Sequence, residues 1–253
     1  MMQPASLLSP VRRELGMSSH DHIAAELGTK ILTGVHRAGL NLPPESDLIE
    51  RFQVSRTVVR EVMKTLAAKG LVVSKTRVGT KVRDPSSWNF FDMDILAWRV
   101  KNGLDDEFRQ SLTEIRRAVE PAAAALAAQR RSAKDLATLR KCLSAMNRKD
   151  HTRLSFAEAD LDFHLAIGSA SGNPLMRSVA SVIEAALIAS FSQSSPVDSE
   201  DDLANTVNSH VAIVDAIEKR DDSAAAAAML KVIDIGVERI QRAKKGRRSN
   251  GKK

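Results

Sequence analysis

Residues 42–82 read LPPESDLIERFQVSRTVVREVMKTLAAKGLVVSKTRVGTKV, and this stretch decides the fold of the N-terminal part of the chain. Pro43 and Pro44 can open a short helix, predicted over 45–52, because proline lacks the N–H that a first helical turn leaves unused. Ser55 is an N-cap for the next helix, which runs to Lys69 and stops at Gly70. Within it Val59, Val62, Met63 and Leu66 repeat at the spacing of one buried face. Arg56, Thr57, Arg60 and Lys64 fall in one arc outside that stripe. Two β-rich pieces, 71–74 and 80–82, flank a polar turn holding Gly79, the pattern of a hairpin. Upstream, Ile23, Leu27, Ile31 and Leu32 recur at helical spacing and predict a first helix from His20 to about Val35. Three helices followed by a hairpin make a winged helix-turn-helix pattern over residues 20–83.

A recognition helix is built in this way, with polar residues near its N-terminus reaching base edges while the opposite face packs. Arginine suits that task because its planar fork can take guanine O6 and N7 together. Lys75, Arg77 and Lys81 on the hairpin suit phosphate or the adjacent groove.

Charge agrees with duplex DNA as the partner. The 253-residue chain carries a net +7, unevenly spread. Residues 1–90 hold 13 basic and 8 acidic side chains, 91–242 hold 19 and 23, and 243–253 hold 6 and none. A basic front, an acidic body and a basic end suggest two domains, one facing a polyanion. No apolar run of about 18 residues predicts a membrane span. Arg12 and Arg13 follow a short mixed stretch instead of preceding an apolar one, so a signal-peptide layout is not expected. Cys142 alone forms no internal disulfide, which fits a cytoplasmic protein. Seven Phe, two Trp and no Tyr argue against a stacking platform for single strands.

From about Ile95 to Ala243 the pattern is helical, with breaks near Gly103, 131–132, 149–150, 172–173, SQSSPVDSE and RDDS. Six or seven helices of bundle length follow, an all-α second domain whose alanine runs mark close helix packing. The expected organisation is a flexible tail over 1–18, a winged helix-turn-helix domain over 19–85, and a linker with the first helix of the second domain over 86–104. A helical ligand-binding domain then occupies 105–242, and a disordered basic tail 243–253.

The second domain carries two anomalies. In FAEADLDFHLAIGSASGNPL (156–175), Asp160 and His164 share an apolar stripe with Phe156, Ala157, Phe163 and Ile167. His210 lies likewise on the stripe Leu203, Val207, Val211 and Val214. A carboxylate facing a core is costly unless it is paired or ligates a cation. Two readings stay open: a hydrogen-bonded Asp–His pair, or a divalent ion held by Asp160, His164 and His210 with positions left for a ligand. On the helix whose Phe108, Leu112, Ile115 and Val119 face inward, Arg116 borders the stripe and Arg117 points away. Arg116 is therefore the candidate partner for a ligand carboxylate, a salt bridge on the surface or between subunits being the other reading.

These residues carry a family resemblance. The pattern LP-E-L---F-VSRT-VRE---L---GLV resembles the DNA-binding domain of the GntR superfamily, FadR subfamily. The resemblance implies base or phosphate contacts from Arg56, Thr57 and Arg60 and a wing tip near Arg77–Gly79. Ser46 stands where some members carry arginine. D-L-D-F-H followed by SH-AI-DAI is similar to the FCD ligand-binding domain, over roughly 105–240. Many FCD domains bind a divalent metal through one Asp and three His. Asp160, His164 and His210 match three of these positions, and the fourth falls on Val232, which cannot ligate. Zn or Ni would be the ion. Arg116 matches an arginine that FCD domains place toward the pocket. The junction WNFFDMDILAW (88–98) resembles the linker of the D-galactonate-type regulators, whose effectors are sugar acids.

The expectation is a homodimeric repressor of a catabolic operon that binds a palindromic operator. A small carboxylate, such as an aldonate, would release it through Arg116, Asp160, His164 and His210. Three other readings compete. One is a metal-sensing regulator. Another is a metal-dependent enzyme with a 2-His-1-carboxylate site, which lacks an adjacent general base and leaves residues 20–83 without a purpose. The last is a nonspecific architectural DNA binder driven by the basic tail.

Overall fold

The computed structural model describes residues 18–75 and 78–250, with side chains through Lys245. The chain divides into two compact units that meet in sequence at Gly103 and Leu104.

The N-terminal unit contains α1 (Ser19–Leu32), α2 (Glu45–Phe52), α3 (Arg56–Ala68), β1 (Val72–Lys75), β2 (Gly79–Val82) and α4 (Met93–Lys101). Each boundary has a local cause. Ser18 and Asp21 close a capping box on α1, and the Ser55 hydroxyl accepts from the Val58 N–H to start α3. Between α2 and α3 the chain turns through Gln53, held at φ 52°. After α3 it turns through Gly70 at φ 79°, where a Cβ would stand 2.2 Å from the Ser87 carbonyl oxygen, so only glycine fits. The strands pair antiparallel, Val72 opposite Val82 and Lys75 opposite Gly79. Leu42 N–H donates to the Thr80 carbonyl at 2.8 Å, tying the entry to α2 onto the wing. Val59, Val62, Met63 and Leu66 are buried with Ile23, Leu27, Ile31 and Leu48, as the apolar spacing predicts.

The helix over 93–101 corrects the expected organisation. The sequence reading gave it to the second domain, but α4 packs on α1 within the N-terminal unit. Ile95 joins that unit's core, and a Cβ at Gly28 would collide with the Trp98 ring. Buried Lys69 donates to Asp92 and Asp94, both at 2.8 Å, which pins the start of α4 to the end of α3. Burial alone would lower the Lys69 pKa, but the two aspartates hold it above its ordinary value.

The second unit is a helical bundle of α5 (Asp106–Arg130), α6 (Ala133–Met146), α7 (Arg153–Ala170), α8 (Pro174–Ser178), α9 (Ala180–Gln193), α10 (Glu200–Glu218) and α11 (Asp222–Asn250). The breaks fall where the sequence places them. Its core joins Phe156, Phe163, Leu139, Ile213 and Met229, with Ala124, Ala127 and Ala128 allowing α5 to lie close to its neighbours. The basic segment read as a disordered tail over 243–253 instead continues α11 to Asn250, and Lys244 pairs with Asp106 at 2.8 Å. Lysine and arginine are good helix formers, and cations favour a helix C-terminus. Residues 1–17, the expected flexible tail, and 251–253 lie outside the described residues. No helix among the described residues is long and apolar enough to cross a membrane.

Candidate functional site

Two charged surfaces emerge, one in each unit. On α3, Arg56, Thr57, Arg60 and Lys64 are all exposed on the face opposite the buried stripe. Their ties to neighbours are loose: Arg60 Nε reaches Glu45 at 3.5 Å and Lys64 reaches Glu61 at 2.8 Å, all four side chains in solvent. Exposed pairs of this kind contribute about 0–1 kcal/mol and yield readily to a polyanion. Arg56 and Thr57 also sit on the first turn of α3, where free N–H groups and the helix dipole favour phosphate. On the wing, Lys75, Gly79 and Lys81 are exposed, and Asn41 Nδ2 donates to the Val78 carbonyl at 3.0 Å. Arg77 lies outside the described residues. Ser46 is exposed and donates to Asp47, so nothing cationic extends the face there.

The second surface is internal. Asp160, His164 and His210 are 3%, 2% and 1% exposed, and one ligating atom from each lies within 4.8 Å of the others. Helix α7 supplies Asp160 and His164 one turn apart, and α10 supplies His210. Hydrogen bonding fixes both rings. His210 Nδ1 donates to the Thr206 carbonyl at 2.8 Å, which turns Nε2 toward Asp160. His210 Nε2 lies 3.1 Å from Asp160 Oδ1. His164 Nε2 lies 3.4 Å from an Arg116 guanidinium nitrogen, which can only donate to it. Its Nδ1 lies against the Glu120 carboxylate. Two imidazoles and a carboxylate thus face one another in a buried space, a donor set that suits a divalent cation.

Glu120 is the residue that sequence reasoning missed. It is 2% exposed on α5, and Arg116 Nε donates to it one turn away. Burial alone would raise the Glu120 carboxyl, but Arg116 and His164 hold it at about 2. Burial would likewise raise Asp160, and His210, His164 and Arg116 outweigh it and lower its pKa. The available signal was the i,i+4 spacing of Arg116 and Glu120. It was masked because the inward stripe of α5 is rotated from the expected one: Leu112, Arg116, Glu120, Ala123 and Ala127 are buried, while Ile115 is exposed. Arg116 therefore sits inside the bundle, not at its border, and Arg117 pairs with Asp234 outside.

Arg116, Asp160, His164 and His210 line a pocket in the bundle. Val232 lines it where the resemblance places a fourth ligand, and Arg109, Ser190, Ser209 and Arg239 add polar groups. Asn173 accepts from the Leu175 N–H and caps α8, a structural role.

Comparison with known proteins gives the same division. Residues 19–82 match the model described as bacterial regulatory proteins, gntR family, and residues 111–234 match the FCD domain. The galactonate operon transcriptional repressor of Escherichia coli is 33% identical over 225 residues, covering 89% of this chain and 98% of that protein. The HTH-type transcriptional regulator YieP of Escherichia coli is 35% identical over 208 residues, covering 80% of this chain and 87% of its own. Among solved structures, that of Lar, which controls expression of the Listeria monocytogenes agr system, covers 90% of this chain and 98% of its own. It has a TM-score of 0.59 at 20% identity, a likeness of fold.

Proposed function

The chain belongs to the gntR family of bacterial regulatory proteins and is a DNA-binding transcriptional regulator, and on that premise we propose that it represses a catabolic operon and is released by a small carboxylate of the sugar-acid class. The observation that carries the reading is the pairing, in one chain, of an exposed cationic face on a capped helix with a buried, arginine-lined pocket. The repressor of a galactonate operon among its relatives supports the effector class. The relatives are regulators, not enzymes.

As a homodimer, each protomer sets α3 in one major-groove half-site of a palindrome. Arg60 and Arg56 take base edges or phosphates, Thr57 a phosphate, and Lys64, Lys75, Arg77 and the chain at Gly79 the flanking backbone. Effector bound in the pocket lowers DNA affinity by as much as it prefers the state that does not bind DNA. Asp160, His164 and His210 would hold a divalent ion such as Zn or Ni, with Glu120 orienting His164 and the Thr206 carbonyl orienting His210. Such an ion supplies a Lewis-acidic point for a ligand oxygen.

Selection of bound duplexes from a random pool, followed by titration with galactonate, tests this. A palindrome should be recovered and displaced by the acid, not by galactose. Equal affinity for all sequences with a steep salt slope would instead mean a nonspecific architectural binder. The convergence of Asp160, His164 and His210 favours a second reading, in which the cation itself is the signal. Zinc added without organic ligand would then shift DNA affinity by itself.

A further inference from the structure

We propose that Arg239, and not Arg116, takes the acidic end of the ligand; this rests on the effector reading above and assigns its anchor. Three arginines line the pocket, and two are already engaged. Arg116 is neutralised by Glu120 through Nε and, at 3.5 Å, through a second nitrogen. Arg109 pairs with Asp106 at 3.3 Å. Arg239 is 4% exposed and has no carboxylate within 4.0 Å among the described residues. One of its nitrogens lies 3.5 Å from the Thr206 hydroxyl, its guanidinium carbon lies 5.6 Å from the centre of the Phe191 ring, and its Nε has no partner. A buried guanidinium left with open donors is costly, and an anion entering from the pocket removes that cost.

The surroundings define the ligand. The Thr206 hydroxyl donates to the Asp202 carbonyl at 2.7 Å, so its lone pair is what Arg239 reaches. The Thr206 carbonyl accepts from His210. One residue thus touches both Arg239 and the ring of His210. On α11, Gly236 lies one turn before Arg239 and lines the pocket, and a Cβ built there meets nothing within 4 Å. Glycine in a helix interior is destabilising, and here it leaves room in front of the guanidinium. The site therefore fits a compact two-headed acid. One carboxylate lies on Arg239 through parallel N–H bonds, and ligand hydroxyls donate to Asp160, His164 and His210. A polyhydroxy acid has both heads, and a neutral sugar lacks the first. Arg116 is then a positioning residue that holds Glu120 and His164.

Thermal unfolding and calorimetry on the full chain test the assignment, with galactonate, the corresponding dicarboxylate and galactose as probes. Without ligand, Arg239→Met should melt about 2–4 °C above the parent chain, because it removes an unpaired buried charge. Its affinity for galactonate should fall at least about tenfold, with part recovered in Arg239→Lys and none of the variants binding galactose. Gly236→Leu should melt no lower than the parent and lose the acid. A ligand-free Arg239→Met that melts several degrees lower, or one that binds galactonate as the parent does, overturns the assignment and leaves the effector reading standing. A parent chain unmoved by both acids overturns the effector reading and the assignment with it.

Discussion

The α3 face and the bundle pocket use the same residue types to opposite ends. On α3 the arginines stand in water, tied by long or exposed pairs to Glu45 and Glu61. In the bundle Arg116, Glu120, Asp160 and Arg239 are removed from water, and each charge is held by a named neighbour except at Arg239, whose Nε is left open. Exposed charge is cheap to displace, which suits a partner as large and as charged as DNA. Buried charge is expensive to leave unmatched, which suits recognition of one small molecule.

Mutations should reproduce this contrast. Glu120→Ala strips Arg116 of its partner inside the bundle and should cost about 3–5 kcal/mol in denaturant unfolding of the helical domain. A loss below 1 kcal/mol would place that pair in contact with solvent and erase the distinction. Chelation of divalent ions should lower the melting temperature of the helical domain, by the equivalent of about 2.7 kcal/mol where the ion had stood at a hundred times its Kd. The same treatment should leave Asp160→Asn unmoved. Arg60→Ala should leave both unfolding transitions in place while operator affinity falls about 5- to 150-fold, the 1–3 kcal/mol of a base-reading arginine. Unchanged operator binding would remove Arg60 from the interface. Lys64→Ala should weaken all duplexes alike and reduce the salt slope by about one, the signature of a single phosphate contact. Glu45→Ala, the exposed counterpart of Glu120→Ala, should change stability by no more than about 1 kcal/mol.

The two regions were also unequally legible in the sequence. The α3 stripe, its Ser55 cap, the Gly70 stop and the hairpin are local patterns, and short-range spacing places them within a residue or two. Asp160, His164 and His210 were visible as polar residues on apolar stripes, and the bundle does bring them together. Glu120 and Arg239 were not visible, because their burial depends on how α5 and α11 rotate against α7 and α10. An arginine or glutamate among alternating polar residues looks the same whether it faces water or a pocket. The fate of 93–101 was hidden for a similar reason: its spacing announces a helix, and only the fit of Trp98 over Gly28 says which core it joins.

Coupling between the two regions is the central claim, and linkage makes it measurable in one titration. Calorimetry should give the affinity of galactonate for the free chain and for the chain saturated with its selected duplex. Affinity should be lower on the DNA complex, by the same factor by which galactonate lowers affinity for the duplex. Equal affinities for the free and DNA-bound chain would contradict it and leave the pocket without a regulatory role.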